Sequence, residues 1–298
     1  MPALETFRAL LPVVLEQLRA FSKIHVVTLT FFVVIYVLER AYGETPKRYL
    51  SRGFRHDLVY WFWDRSSVHM FLATAGVMYL MTPMFGFLRL NLLDGWNPVA
   101  RYFVYWVVFD FTSYWVHRWK HANSWLWAFH SVHHSQENLT FLTLTRGHPF
   151  ESLFGSVLAF FPLVILGAPP AAWLPLALFR TFLEALQHSA LPWRMGPLYR
   201  VIVSPVFHSF HHSTNPEHHD RNFGVNLAIW DFLFGTAVDH EPRPAEFGLK
   251  DTPMPTLASQ LFGPFQAIHR SYAEKRGPAT DFAVPDGQLL ARPADKAD

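Results

Sequence analysis

The sequence predicts an all-α protein, an integral-membrane helical bundle carrying a cytoplasmic, histidine-rich helical cap. Three observations predict it. Of 298 residues 51% are apolar and only 16% charged, against roughly 25% charged in an ordinary soluble domain. Apolar runs of helical length recur between turn signals from residue 24 to residue 186. The polar ends of these runs carry histidines at offsets of three and four, which on a helix share one face, one turn apart.

Glu5 to Phe21 places Phe7, Leu10, Leu11, Val14, Leu15 and Leu18 at helical spacing, with Glu5, Arg8, Glu16, Gln17 and Arg19 opposite. This is an amphipathic helix, expected to lie on a membrane or against the bundle. It lacks the basic start, short apolar core and cleavage site of a secretory signal and is expected to be retained. Ile24 to Leu38 is a first candidate span, at the short end of the usual ~17–25 residues. The following stretch, 41–57, reads as a loop; its Lys47, Arg48, Arg52 and Arg55 join Arg40 and place it on the cytoplasmic side. Further apolar runs cover Val68 to Leu88, interrupted by Thr82-Pro83, and Pro98 to Val116. Ser152 to Leu166 and Ala171 to Leu186 form a helical hairpin around the breaker at 167–170. Threaded from the basic loop, these spans deliver every histidine cluster to the cytoplasmic side. The chain thus divides into N-terminal membrane or interfacial helices (1–98), a histidine-rich domain that includes the hairpin (99–239), and a tail (240–298). The tail has scattered prolines, one short helix around Leu257 to Tyr272 and a polar end expected to be partly disordered.

Composition removes several classes of function. A net charge of +2 without a basic block interleaved with aromatics gives no nucleic-acid partner. With no cysteine, disulfides, thiolate zinc sites, iron–sulfur clusters and CxxCH haem attachment are excluded. Any metal sits on nitrogen and oxygen.

The nitrogen is supplied in four places. His117 and His121 form HxxxH; His130, His133 and His134 form HxxHH; the same spacing returns at His208, His211 and His212, and His188 lies between. Isolated histidines such as His25, His56, His69, His240 and His269 read as amphipathic residues at the water boundary. Clusters with ligand spacing do not, because buried unpaired imidazoles each cost desolvation energy whereas a shared metal satisfies many at once. Nine imidazoles exceed one coordination sphere of about four to six, so two ions are favoured, with His218 or His219 as a candidate tenth ligand. Imidazole suits Zn, Cu, Fe and Ni alike. Nine or ten nitrogens over-supply two closed four-coordinate zinc sites, which favours iron with room for dioxygen.

These boxes, HRWKH (117–121), HSVHH (130–134) and HSFHH (208–212), resemble the signature of the membrane-bound sterol desaturase and fatty acid hydroxylase family. The resemblance extends to Asp110 and Tyr114 before the first box, RGHPFE (146–151), QHSALP (187–192) and the segment 220–236, so it covers about 110–236. The stretch after the third box is also similar to alkylglycerol monooxygenase-like members. The resemblance implies a cytoplasm-facing di-iron centre that activates O2 and hydroxylates or desaturates a C–H bond of a lipid (sterol, fatty acyl or ether lipid) entering from the bilayer. It also implies the ligand set His117, His121, His130, His133, His134, His188, His208, His211 and His212, with His219 held as the tenth and His148 supporting from outside the boxes.

Two carboxylates are candidate catalytic residues. Asp110, two helical turns before His117, is placed to accept the second N–H of a ligand imidazole, unless it pairs with Arg101 or Arg118. Glu184, one turn before His188, can reach it, unless Arg180 takes it. Glu137 and Asn138 follow the second box, where they can cap or hydrogen-bond. Trp115, Trp119, Trp125 and Trp127 read as an interfacial belt rather than a substrate cage. No GxGxxG fingerprint is present, so electrons come from an external donor: a cytochrome, a ferredoxin or a tetrahydropterin. The alternative is a membrane zinc-dependent hydrolase, weakened by the lack of HExxH and of any glutamate inside a box. A metal carrier is a third reading, but its histidines would line the spans rather than cap them.

Overall fold

The computed structural model describes residues 26–43, 46–64, 82–239 and 242–276. The amphipathic helix expected over Glu5 to Phe21, most of the run Val68 to Leu88 and the polar C-terminal end lie outside these residues. Among the described residues every regular element is helical, and extended pairing is limited to the isolated bridges Ile202–Leu227 and Ser213–Phe247.

The helices are α1 (26–42), α2 (Arg52–Asp64), α3 (Pro98–Ala122), α4 (Ser124–His134), α5 (Pro149–Ile165), α6 (Pro170–Gln187), α7 (Pro205–His211), α8 (Ile229–Phe234) and α9 (Leu257–Arg276). Their ends follow capping chemistry. Asn97, Asn123, His148 and Ser204 each accept a backbone N–H of the first turn of α3, α4, α5 and α7, and proline occupies an early position in three of these four helices. Asn123 matters most. Extended at φ −114°, it closes α3 and opens α4, so the first two histidine boxes stand on two helices that meet at an angle. The segment read as a loop over 41–57 is already helical from Arg52. Buried Asp57 and Tyr60, three residues apart, give α2 an inward face against the 3-10 turn Phe141–Thr145.

One core joins Tyr105 and Phe109 of α3 to Ala159, Leu163 and Val164 of α5 and Leu176 of α6. A second joins Phe32 and Ile35 of α1 to Phe141, Leu142, Ala185, Leu186 and Leu191. No described helix is long and apolar enough to cross a membrane. The segments expected as spans are helical over 98–116, 152–165 and 171–186 and over the described part of 24–38, residues 26–38. The hairpin helices have only 17 and 18 residues, and α3, with 25, carries Arg101, Asp110 and many tyrosines and tryptophans.

Candidate metal centre

Nine imidazoles converge in two groups. His117, His121, His130, His134 and His211 form one, His133, His188, His208 and His212 the other, with the ligand-competent atoms of each group within 4.8 Å of one another. Helix periodicity explains the division. Residues four apart lie on one face, so His130 and His134 of α4 go together and so do His208 and His212 of α7, while His133 and His211 turn toward the opposite group. Thus α4 and α7 lie between the two groups and serve both, α3 serves only the first, and His188, at the C-cap of α6, serves only the second.

Hydrogen bonds at the far side of the rings fix which nitrogen is presented. The Nδ1–H of His117, His133, His188 and His211 donates to the carbonyls of Phe223 (2.9 Å), Arg146 (3.0 Å), Glu184 (2.7 Å) and Arg221 (2.7 Å). His130 donates to the Glu151 carboxylate (2.8 Å) and His121 to that of Asp220 (3.2 Å). A carbonyl or carboxylate can only accept, so in these six rings Nε2 carries the lone pair. Burial, the largest cause, drives all nine rings below the ordinary imidazole value, His133 to about 3, and keeps them neutral.

This arrangement fits a cation in each group. His117 and His130 bring their Nε2 atoms to 3.1 Å, and His133 and His188 to 3.2 Å, although in both pairs each Nδ1 already holds the proton. Two lone pairs facing each other in a buried site repel unless a positive ion lies between them. The other Nε2 separations, 3.3 Å for His130–His134, 3.0 Å for His188–His208 and 3.2 Å for His208–His212, have the same length. Nitrogens about 2.1 Å from one ion and 90–109° apart are about 3.0–3.4 Å from each other. The buried Nε2 atoms of His121 and His211 have no protein partner.

Not every residue singled out in the sequence joins a group. His219 is exposed and lies outside both, and His218, though buried, is bound to Ser213 Oγ at 2.9 Å. Asp110 takes no imidazole proton and pairs with neither Arg101 nor Arg118. Its buried carboxylate accepts from Asn226 N (2.8 Å), Leu227 N (3.1 Å) and Trp230 Nε1 (2.8 Å), holding the loop whose Arg221 and Phe223 carbonyls receive His211 and His117. The Glu184 side chain pairs with Arg180 at 2.9 Å, and it is the backbone carbonyl of Glu184 that meets His188. His148 caps α5 and reaches Leu261 O at 3.1 Å. Trp115, Trp119 and Trp125 are exposed, but Trp127 packs on the rings of His121 and His134.

Two carboxylates that the sequence did not single out do the orienting. Glu151 bridges His130 to Lys120 (2.7 Å), and Asp220, left-handed at φ 56°, turns its side chain onto His121. Asp and Asn tolerate that backbone region better than other non-glycine residues. The available signal was their position, Glu151 closing RGHPFE and Asp220 following His218-His219.

Fold and site together define an all-helical protein built around two adjoining all-imidazole groups with metal-ligand spacing. Residues 102–236, which contain all nine rings, match the fatty acid hydroxylase family model. That stretch is a fatty acid hydroxylase domain. The chain is similar to the ornithine lipid hydroxylase OlsE of Rhizobium tropici, 33% identical over 174 residues, which are 58% of this chain and 52% of that protein. It is 32% identical over 165 residues to the alkylglycerol monooxygenase of Xenopus tropicalis (54% of this chain, 35% of that protein). It is 28% identical over 141 residues to methylsterol monooxygenase 1-3 of Arabidopsis thaliana (46% and 48%). The chain thus spans about half or less of the length of these relatives. No solved structure matches it.

Proposed function

We propose that this protein is a non-haem di-iron oxygenase that hydroxylates or desaturates a C–H bond of a lipid, with the nine converging histidines as ligands. The observation that supports the reading is one pair of facing Nε2 lone pairs in each group, whose repulsion a cation in each group would relieve. Iron is favoured over zinc because five imidazoles in one group exceed a closed tetrahedral shell. Two irons so held supply the reduction of O2 and the removal of a hydrogen atom from the substrate, and hydroxylation balances as R–H + O2 + 2 electrons + 2 protons giving R–OH and water. The chain's own residues do the rest. Nδ1–H bonds keep six rings in one tautomer, Glu151 and Asp220 raise the basicity of His130 and His121, and buried aromatic packing from Phe223 and Trp127 keeps bulk water off the rings. Electrons come from outside, from a cytochrome, a ferredoxin or a pterin.

Exposed apolar side chains on α1 (Val26, Val33, Val37), α2 (Phe62) and α3 (Val99, Phe103) support seating at a bilayer, with the histidine groups on its cytoplasmic side and the lipid entering from the membrane. The test is metal analysis and 18O2 turnover of protein purified from membranes. Two irons per chain and one labelled oxygen in a hydroxylated lipid are expected. Turnover without air, with zinc bound, would replace this reading by a hydrolase. His133→Ala and His211→Ala, which remove a ligand from different groups, should each abolish product while the protein stays in the membrane fraction.

A further inference from the structure

The two groups are secured by different parts of the chain. Around the five-histidine group, the partners of the rings (Phe223, Asp220, Glu151 and Arg221) all lie within 102–236, the stretch that matches the family model. Around the four-histidine group, the support arrives from outside it on both sides. From α2, Asp57 binds Arg146 Nε at 2.6 Å and also receives Gln136, while Arg146 donates to Gly53 O at 2.7 Å; the carbonyl of this same Arg146 holds His133. From α1, buried Glu39 accepts the N–H of Ala190, two residues beyond His188.

From the C-terminal side, Arg243 donates to Ser189 O (3.1 Å) and Leu191 O (3.3 Å), so the turn after His188 is gripped from two directions. The same segment continues past the other ligand helices. Thr214 N donates to Glu246 O at 3.2 Å and Phe247 bridges Ser213, directly after His212. Gly248, at φ 102°, passes so near Glu137 that a β-carbon there would stand 3.0 Å from its Cγ. The backbone following His188 and His212, both of the four-histidine group, is therefore fixed by one strap, 242–248, which only passes by Glu137.

We infer that α1, α2 and the strap 242–248 build the four-histidine metal site, with Glu39, Asp57 and Arg243 as positioning residues, so that loosening them empties that site and leaves the five-histidine site loaded. This rests on the two-metal reading above. The geometry supports selectivity because Glu39 and Arg243 bind the turn after His188, and Asp57 acts through Arg146 on His133, both rings of the second group. Loss of a residue that orients a ligand typically weakens metal binding by about 10–100-fold.

The experiment is a titration of metal-free full-length protein with Fe(II) and, as a spectroscopic probe, Co(II), alongside circular dichroism to check folding. Wild type should take two equivalents. Arg243→Ala, a half-buried side chain whose loss the fold should tolerate, and Glu39→Ala should take one tightly and the second at least about 10-fold more weakly. Glu39→Gln, which keeps an acceptor for Ala190 N, should restore the second equivalent, a rescue that a merely bulk-packing role would not give. Asp57→Asn should behave as Arg243→Ala does; if it does not fold, the other two variants carry the test. Wild type binding two equivalents while folded Arg243→Ala and Glu39→Ala keep both unaltered, or lose both alike, would overturn the inference and spare the two-metal reading. Wild type binding fewer than two would overturn both.

Discussion

Glu151 and Asp220 perform the same task on His130 and His121 in different surroundings, and the difference predicts different consequences. Glu151 is nearly buried and shares an oxygen between His130 and Lys120, whereas the Asp220 side chain is 73% exposed. Glu151→Ala strands the partly buried Lys120 ammonium as well as a ligand N–H, so it should lower metal affinity about 10–100-fold. Asp220→Ala should cost less, because water can take the freed N–H. Competition with a chelator measures both, and equal losses would show that exposure does not set the cost. Asp110 belongs to the same scale. Asp110→Ala leaves two backbone N–H groups and an indole N–H unsatisfied in a buried loop, at about 1–3 kcal/mol each. The melting temperature should fall, and with it the affinity of the five-histidine group, whose His117 and His211 lean on that loop.

These cases also show what a sequence can and cannot display at this scale. The spacing of His130, His133 and His134 is a local fact, and the helix turns it into a direction. The partner of Asp110 is more than 110 residues away, and offset seven to His117 said nothing about which backbone would return to meet it. At Glu184 both readings offered by the sequence meet. The bond to His188 exists at the expected spacing, but the helix carbonyl supplies it and the carboxylate goes to Arg180.

Among the elements, the breaker at 167–170 was legible because its chemistry is complete within a few residues. Helix α5 ends at Ile165 and is capped by Leu166, Gly167 turns left-handed at φ 71°, and the prolines that follow start α6. Gly167→Ala should cost about 1–2 kcal/mol from backbone conformation alone. The β-carbon would also meet the Arg89 guanidinium, but this is the mobile end of an exposed side chain and can swing aside, so the backbone term sets the loss. Thermal unfolding checks it, and an unchanged midpoint would mean the hairpin does not depend on this turn. Helix α2 was hard to read because the fully buried Asp57 interrupts an inward face otherwise made by Phe54, Tyr60 and Trp61. Asp57 is buried only because Arg146, 89 residues later, comes to meet it, and a carboxylate at that position breaks the apolar periodicity that would announce the helix. The same limit applies to the membrane. Apolar runs were plain in the sequence, yet their division into short helices with charged and aromatic interruptions is a property of the bundle.

Taken as a whole, the molecule encloses nine neutral imidazoles, and this sets its response to acid. In the unfolded chain each titrates near its ordinary 6.5; in the folded protein burial pushes every one lower, His133 to about 3. Above pH 6.5 neither state binds these protons and the full stability is present. Below it the unfolded chain gains protons that the folded protein refuses, so stability falls as pH falls toward the folded values. Every ring that stays neutral in the folded protein adds to this loss, so the cluster makes stability fall more steeply with acid than a single buried histidine would. The melting temperature of the metal-free protein should therefore fall as pH drops below about 6.5. Bound metal shifts this. An ion that occupies the lone pairs must be displaced before the rings can protonate, so saturating Fe(II) under anaerobic conditions should move the acid transition to lower pH, and a chelator should move it back. Calorimetry across this range, with and without metal, is the measurement. A melting temperature that stays flat from pH 7 to 5.5 in the metal-free protein would mean that the rings are not held neutral in a common interior, and the convergence on which the function depends would not exist in solution.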